Sequence, residues 1–421
     1  MTWANLIRRI VPWLVLPGMA FFWLGVHTPN VLYYFPAAIL VTVAFWPGPP
    51  KNRPGKYTLA LAIGFCVFCT FLYPDLSDDF HRYLWEGHVQ NHGISPYLHS
   101  PQSLYQQFDH PSEGLINNDH LPAIYPPLAQ YLFRLSDLIT TQVWGWKLIL
   151  VLWSAAWSLL LRRRTLLWLM IIPIAAIEGW WNGHLDLAGL VPCLVLVESL
   201  ERQRPFLAGL SLGSLIALKI MPIIWLPFAF RHLPSQQRIK FFATTFGVVV
   251  LCYAPFLIQG EALFHSFLTF SKTWSFNNLP YIVLSEIFGT SAARLTLAIS
   301  FFVSFAMVFF MVKGLRTQCL YAWILLIICS PTFYPWYLLW LLPMVPLKGF
   351  RVYDLAYLAA FLSYWVLVDY RARNVWREQW QWLVLEWLIL GFCFVKLMRL
   401  SHLDPKNQSD RSHTNLQTDA T

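Results

Sequence analysis

Long apolar runs alternate with short polar stretches along most of this chain. A run of about 20 apolar residues is long enough to cross a bilayer as an α-helix. The pattern therefore predicts an all-α polytopic integral membrane protein with about 12–14 transmembrane helices, several of them short. The predicted spans are 11–27, 31–46, 57–73, 143–161, 165–182, 185–199, 206–218, 220–231, 241–258, 292–312, 319–333, 336–347, 353–368 and 380–397.

The spans are grouped by the polar segments between them. Residues 1–400 are predicted to form a single transmembrane domain, in which 74–142 is a long external loop carrying helices that lie at the membrane interface. The last segment, 401–421, is polar and free of long apolar runs, so we expect a disordered tail.

Composition and charge agree with a membrane protein. The chain is 57% hydrophobic and only 12% charged, about half the charged fraction of soluble domains. Most of its 30 Lys and Arg residues fall in loops on the side of the N-terminus. Because basic residues accumulate in cytoplasmic loops, both termini are predicted to be cytoplasmic, in the inner (plasma) membrane. The net charge of +9 is thus a topology signal, and no nucleic-acid partner is expected.

The stretch 73–101, YPDLSDDFHRYLWEGHVQNHGISPYLHSP, concentrates ionisable residues in the external loop. Ser77 precedes a predicted helix on which Asp79, Arg82, Tyr83 and Glu86 share one face, at spacings i, i+3, i+4 and i+7. One interpretation is an ion pair between Asp79 and Arg82 on a solvated surface. The other is that Asp79 is a general base, since a partly desolvated carboxylate has the raised pKa that this role needs.

Further along the loop, LPAIYPPLAQYLFRL (121–135) predicts a second helix, with Pro126 and Pro127 in its first turn. Its polar residues, Gln130 and Arg134, suit a helix resting on the membrane surface, the alternative being one more transmembrane span. The loop histidines 81, 88, 92 and 99 do not have ligand spacing on one helix face. No metal site is predicted from them.

Other external residues have both a structural and a functional interpretation. His184 and Asp186, in EGWWNGHLD, would either cap a helix and anchor it at the interface or bind a sugar, with Glu178 as a further acid. An unpaired lysine at membrane depth is costly, so Lys219 is interpreted as a phosphate ligand. The remaining candidates are aromatic residues for stacking or an interfacial belt and arginines for donor phosphate or lipid headgroups, namely Trp336, Tyr337, Arg371 and Arg373.

Residues 77–133 resemble the first external loop of the GT-C glycosyltransferases. The resemblance is closest to the GPI mannosyltransferase I type and to bacterial polyprenol-phosphate mannosyltransferases. The matching elements are the pair Asp78 and Asp79, GISPY at 93–97 and YPPL at 125–128, which includes Tyr125. Later segments similar to the family are GHLD (183–186), LKIMPIIWLP (218–227) and FYPWYLLWLLP (333–343). Ser77 stands where the common D-x-D form has its first aspartate, which weakens the case for a divalent metal.

The resemblance implies a GT-C fold and an inverting glycosyltransferase. It would move a hexose, with mannose favoured, from a polyprenyl-phosphate-linked donor to a hydroxyl of a glycan or glycolipid on the extracytoplasmic face, among membrane lipids. Asp79 would be the base, Asp78 its supporting neighbour, and Arg82, Tyr83 and Glu86 would contact substrate. No cofactor is implied. A transporter or flippase of a lipid-linked sugar is the alternative, although it would favour internal repeats, and none is visible in the sequence.

Overall fold

A computed structural model describes residues 10–28, 30–45, 56–162 and 164–403. This part of the chain is helical and contains no strand; its one extended pairing is an isolated bridge between Phe276 and Thr332. The predicted all-α class is therefore confirmed for these residues. The proposed tail, 401–421, lies almost entirely outside them.

The α-helices follow the apolar runs closely. The first group is α1 Val15–His27, α2 Tyr34–Phe45, α3 Lys56–Phe71, α4 Asp79–Asn91, α5 Pro127–Asp137, α6 Val143–Ser158, α7 Asp186–Glu201 and α8 Pro205–Leu218. The second group is α9 Leu226–His232, α10 Ser235–Tyr253, α11 Ala262–Thr273, α12 Leu279–Phe288, α13 Thr290–Met311, α14 Leu315–Cys329, α15 Phe350–Ala360, α16 Val366–Arg373 and α17 Trp380–His402.

Short 3₁₀-helical segments and a π-helix connect the α-helices. A π-helix covers Ala175–Trp181. The 3₁₀ segments are Val11–Leu14, Val31–Tyr33, Pro101–Leu104, Arg164–Ile171, Met221–Trp225, Ala254–Gln259, Pro335–Met344, Leu347–Gly349 and Phe361–Trp365. Many of them contain proline, which removes a backbone donor and interrupts regular α-helical hydrogen bonding.

Three helical segments of the described residues are long and apolar enough to cross a membrane, namely Ser235–Gln259, Thr290–Met311 and Leu347–Arg373. They coincide with the predicted spans 241–258, 292–312 and 353–368. Several other predicted spans are apolar helices of 10–17 residues. Membrane-spanning character is thus supported by length and composition, whereas the count of about 12–14 spans stays a prediction.

One segment between two predicted spans is helical without being a predicted span. Residues 259–291 contain no apolar run long enough to span a bilayer. The structure places α11 and α12 in this segment, α12 being capped by the Asn278 side chain, which accepts a hydrogen bond from the Tyr281 amide at 2.8 Å. Helices too short to span a membrane give no span signal, although their apolar residues recur at helical spacing.

The chain divides into two compact units. The first comprises the described residues within Met1–Leu72, Trp168–Ile177 and Ser275–Thr421, and the second those within Tyr73–Leu167 and Glu178–Trp274. In the first unit α1 packs on α2, and α17 packs on α14 and α15. The single domain over 1–400 stays a prediction.

The second unit contains the segment 74–142, which the sequence predicts to be an external loop. Helix α8 packs closely on α10, because Gly209 and Gly213 let the α10 backbone approach. Helix α7 is buried along nearly its whole length and packs between α6 and α8. Helices α4 and α5 pack against each other and against α6. The N-terminal ends of α4 and α7 and the C-terminal end of α8 bring together the side chains described below.

Candidate functional site

Helix α4 begins within one residue of the start that the sequence predicts. Its first residue is Asp79, and the Ser77 hydroxyl accepts a hydrogen bond from the Asp79 amide at 3.3 Å. Asp78 occupies the cap position but makes no capping bond with its side chain. A hydroxyl that accepts from a free amide at a helix start stabilises that end, which explains why the helix begins at this point.

Arg82 lies on the buried face of α4 and fastens the loop that follows the helix. Its guanidinium donates to the carbonyls of Asn117 and Asn118, both at 2.8 Å, and to that of Leu121 at 3.1 Å. It also pairs with Glu86, with Nη1 and Oε1 3.3 Å apart, and both side chains are buried. The interpretation of a solvated ion pair between Asp79 and Arg82 is therefore wrong.

Glu86 makes a second buried contact, with α5. Its Oε2 accepts from Gln130 Nε2 at 2.6 Å. The expectation that Gln130 belongs to the solvent-facing polar side of an interfacial helix is therefore wrong, whereas Arg134 is exposed as expected. Because the polar atoms of Arg82 and Glu86 are already bonded inside the unit, the geometry favours a structural role for them over the predicted substrate contacts.

Helices α4 and α5 meet at Gly87. A Cβ added there would overlap the backbone carbonyl of Phe133, so only glycine permits this closeness. The Phe133 ring stacks on Tyr83, with ring centroids 4.7 Å apart. This contact sets the position of Tyr83, which faces the start of α4 and of α7.

Asn117 is a site residue that sequence reasoning missed. Its Nδ2 donates to Asp78 Oδ1 at 2.7 Å and to Asp79 Oδ1 at 3.1 Å. Arg82 holds the carbonyl of the same residue, so the amide is oriented from both sides. No spacing signal identifies an asparagine 38 positions away as a partner of Asp79, since the loop conformation alone brings them together.

Asp79 is partly exposed, and its pKa is higher than that of an ordinary aspartate. Its side chain is 24% exposed. Desolvation by the surrounding protein, followed by repulsion from Asp78, raises the pKa of Asp79 from 3.8 to about 6. The Asn117 hydrogen bond and the charges of Lys219 and Arg82 act in the opposite direction. The carboxylate is thus ionised near neutral pH but close enough to its pKa to accept a proton readily.

Two phenols share this environment. Tyr83 and Tyr125 pack edge to face with ring centroids 5.2 Å apart, and their hydroxyl oxygens are 3.5 Å apart. Burial, followed by the negative charge of Asp79, raises the pKa of both phenols well above the usual value. They remain neutral hydrogen-bonding groups. Tyr83 and Tyr125 therefore lie close to Asp79, and their predicted substrate contacts stay predictions.

The GHLD turn joins the π-helix to α7. Gly183 has a φ of +70°, which L-residues with side chains rarely adopt, and its carbonyl accepts from Trp146 Nε1 at 2.6 Å. The preceding Asn182 accepts from the Leu76 amide at 3.1 Å, which fastens this turn to the segment before α4. These contacts bring His184 to the start of α4.

His184 lies between two carboxyl groups. Its Nδ1 is 3.8 Å from Asp79 Oδ2, and its Nε2 is 3.8 Å from Glu178 Oε2. Burial, followed by the charge of Lys219, holds the pKa of His184 well below its usual range, so the ring is neutral at pH 7. The Glu178 side chain is fully buried. The distances exceed hydrogen-bond length, and such contacts often shorten when substrate binds.

Lys219 follows the last residue of α8 in extended conformation. Its Nζ lies 2.7 Å from Asp186 Oδ1, where Asp186 is the first residue of α7 and is buried. The premise that Lys219 is unpaired is therefore wrong. The ion pair holds a positive charge close enough to Asp79 to lower its pKa.

Four predicted residues belong to the first unit. Trp336 and Tyr337 are buried at the start of the segment Pro335–Met344, where Trp336 stacks on Tyr334 with ring centroids 4.4 Å apart. Arg371 and Arg373 are exposed in the last turn of α16. Their substrate and phosphate contacts stay predictions.

A narrow crevice lies beside the site. It is lined by residues of five segments of the second unit, including Tyr125, Ile220, Tyr253 and Phe264, and holds about 10 Å³. That is room for about one water molecule. A sugar is too large for a crevice of this volume.

The expectation that the loop histidines do not share a helix face is wrong for α4. His88 and His92 are one turn apart, and their ring centroids lie 4.3 Å from each other. His81 lies on the same side of the helix, where its Nδ1 is 3.1 Å from Ser112 Oγ. This face is opposite the one that carries Asp79.

Comparisons with known protein families, with curated proteins and with solved structures gave no match to this chain.

Proposed function

We propose that the chain is a GT-C type membrane glycosyltransferase that moves a hexose, mannose being favoured, from a polyprenyl-phosphate-linked donor to a hydroxyl acceptor. One observation carries the proposal. A partly exposed carboxylate, Asp79, whose pKa is raised to about 6, lies beside a neutral imidazole and the Lys219–Asp186 ion pair. A base whose pKa is close to neutral pH, next to a fixed positive charge, suits a reaction in which a group is transferred away from a phosphate.

In the proposed step the acceptor hydroxyl gives its proton to Asp79. Its oxygen forms a new bond to the anomeric carbon as the bond from that carbon to the phosphate oxygen breaks. The polyprenyl phosphate leaves with the bonding electron pair, and the anomeric centre is inverted. Asp79 afterwards releases the proton to water, for which its exposed edge provides a path.

The neighbouring residues have separate parts in this step. Asn117 holds Asp78 and Asp79 in place by hydrogen bonds to both carboxylates. The neutral His184 ring lies between Asp79 and Glu178. The ammonium of Lys219 supplies positive charge for the departing phosphate, while Asp186 fixes its position. No metal or cofactor is required by the step.

The proposed setting is the extracytoplasmic face of the inner (plasma) membrane, with both termini cytoplasmic. The apolar helices support a membrane location, and the donor reaches the enzyme through the lipid phase. The acceptor is a glycan or glycolipid hydroxyl.

The test is a transfer assay on the purified full-length chain, with polyprenyl-phosphate mannose as donor and a series of simple alkyl glycosides as acceptors. We expect Asp79→Asn to lower transfer by about 10²–10⁴-fold, which is the usual contribution of a general base. Asp109→Asn, an exposed carboxylate in the same loop, is the matched control and should transfer at the wild-type rate. Transfer by Asp79→Asn at the wild-type rate would remove the proposed base.

A further inference from the structure

His88, His110 and Asp137 form a cluster on the side of α4 opposite Asp79. One nitrogen from each histidine and one carboxylate oxygen lie within 4.8 Å of one another. The three residues come from separate segments: α4, the loop after the segment Pro101–Leu104, and the last residue of α5. His88 is nine positions after Asp79, which corresponds to half a turn of net rotation and about 13 Å along the helix. The cluster is therefore separate from the proposed active site.

The cluster contains a buried polar atom without a protein partner. Only 5% of His110 is exposed, and its Nε2 has no hydrogen-bond partner among the described residues. Its Nδ1 accepts from the Ser112 amide at 3.1 Å, so in the neutral ring the proton lies on Nε2 with no acceptor. Buried polar atoms are nearly always satisfied in folded proteins, and an exception indicates strain or a ligand.

The other two residues are already oriented by neighbours. Asp137 Oδ1 lies 3.0 Å from His88 Nδ1, and Asp137 Oδ2 accepts from Asn91 Nδ2 at 2.8 Å. The Phe108 ring packs edge to face against His88, with ring centroids 5.5 Å apart. Fixed ligands with hydrogen-bonded outer partners are typical of metal sites in proteins.

We propose that His88, His110 and Asp137 bind a divalent transition-metal ion of the zinc type. Two imidazole nitrogens and one carboxylate oxygen are ligands that zinc takes, with a fourth position left for water. A tetrahedral zinc ion holds its ligand atoms about 3.4 Å apart. Ligand atoms that are up to 4.8 Å apart must therefore draw together by up to about 1.4 Å, whereas His88 Nδ1 and Asp137 Oδ1, at 3.0 Å, are already close enough. Binding through His110 Nε2 moves the ring proton to Nδ1 and replaces the contact with the Ser112 amide.

Such an ion would tie together three parts of the external loop. It would link α4 to the end of α5 and to the loop around His110, on the reverse side of the helix that presents Asp79. The same loop carries Asn117, which orients Asp79. The expected role is therefore structural, and it does not depend on the reaction that Asp79 performs.

The experiment is zinc binding by the purified full-length chain after chelator treatment, measured by equilibrium dialysis and atomic absorption. The wild type should bind one zinc ion per chain. His110→Ala and the isosteric Asp137→Asn should weaken binding by more than about 100-fold, and the outer-partner variant Asn91→Ala by about 10–100-fold. His99→Ala, an exposed histidine of the same loop, should bind as the wild type does.

Thermal unfolding separates loss of the site from loss of the fold. Without zinc, Asp137→Asn and the wild type should unfold at similar temperatures; with zinc, only the wild type and His99→Ala should gain stability. Absence of zinc binding by the wild type, or equal binding by His110→Ala, overturns the proposal. An equal loss of zinc affinity in His99→Ala and His110→Ala would also overturn the proposal, since the zinc would then be bound at the surface.

Discussion

His184 Nδ1 lies 3.8 Å from Asp79 Oδ2, although the two residues are far apart in the sequence, Asp79 being the first residue of α4 and His184 lying in the turn before α7. The imidazole is buried and the carboxylate is partly exposed. The contact therefore joins the interior of the second unit to its exposed edge, which the substrate hydroxyl would reach in the proposed reaction. The pKa of Asp79, the stability of the protein and the packing of its helices each provide a test of this part of the structure.

The proposed base predicts a defined pH dependence. Asp79 acts only when deprotonated, so kcat/KM should fall about tenfold per pH unit below its pKa of about 6 and level off above it. The Asn117 hydrogen bond lowers this pKa, so Asn117→Ala should move the acidic limb to higher pH. The measurement is the pH profile of kcat/KM for both proteins.

Gln107→Ala is the control for this profile. Gln107 is an exposed side chain of the same loop, and its removal should leave the acidic limb where it is. A limb that stays in place in Asn117→Ala, or moves to lower pH, would contradict the assignment of Asp79 as the titrating group.

The same pKa has a consequence for stability. A carboxyl group whose pKa rises from 3.8 to about 6 on folding stabilises the protein below pH 3.8, and this contribution is lost as the pH rises through about 6. Ionised Asp79 at pH 7 therefore costs about 2–3 kcal/mol at about 1.4 kcal/mol per unit. Asp79→Asn should unfold at a higher temperature than the wild type at pH 7.

The advantage of Asp79→Asn should shrink as the pH is lowered and vanish near pH 4. Thermal unfolding of the two proteins across this pH range measures it. A variant that is inactive and less stable than the wild type at pH 7 would show that Asp79 is retained for folding and not for chemistry.

The Lys219–Asp186 pair predicts a non-additive response. Lys219→Met leaves the buried Asp186 carboxylate without its partner, and breaking such a pair costs about 3–5 kcal/mol. The double variant Lys219→Met/Asp186→Asn removes both charges and should regain much of this stability. Neither variant should transfer sugar, since both lack the positive charge beside Asp79.

Chemical denaturation and the transfer assay together check this prediction. Lys272→Met, at an exposed position in α11, should change stability by less than about 0.5 kcal/mol. Activity in the double variant at the wild-type level would contradict the role of Lys219 toward the phosphate.

The contact between α4 and α5 predicts a strong effect of a single methyl group. Gly87→Ala places a Cβ against the carbonyl of Phe133 and should destabilise the protein by about 1–3 kcal/mol. Gly64 lies within α3, where a Cβ meets nothing within 4 Å, so Gly64→Ala should stabilise the helix by up to about 1 kcal/mol. If the unfolding midpoints of Gly87→Ala and Gly64→Ala shift in the same direction, the proposed close contact between α4 and α5 at Gly87 is contradicted.

Local signals in the sequence were sufficient for α4, α5 and the three long apolar segments, but not for the short helices α11 and α12. The start of α4 follows from the Ser77 hydroxyl and the start of α5 from two prolines, because each depends on residues within one turn. The three long apolar segments follow from run length alone. The choice of Asp79, made from the helix face and the family resemblance, stays a prediction, although the structure provides it with a raised pKa.

The partners of these residues were decided only by the tertiary structure. Asn117 reaches Asp79, Lys219 reaches Asp186, and His110 joins His88 and Asp137, across separations that leave no periodic pattern in the sequence. Helix faces are set by local spacing, whereas the loop path and the packing of α4, α7 and α8 determine which distant groups meet. The pKa of Asp79 is raised by burial and by the adjacent Asp78 and is lowered by Asn117, Lys219 and Arg82, so it depends on packing and on distant groups that its own segment does not specify.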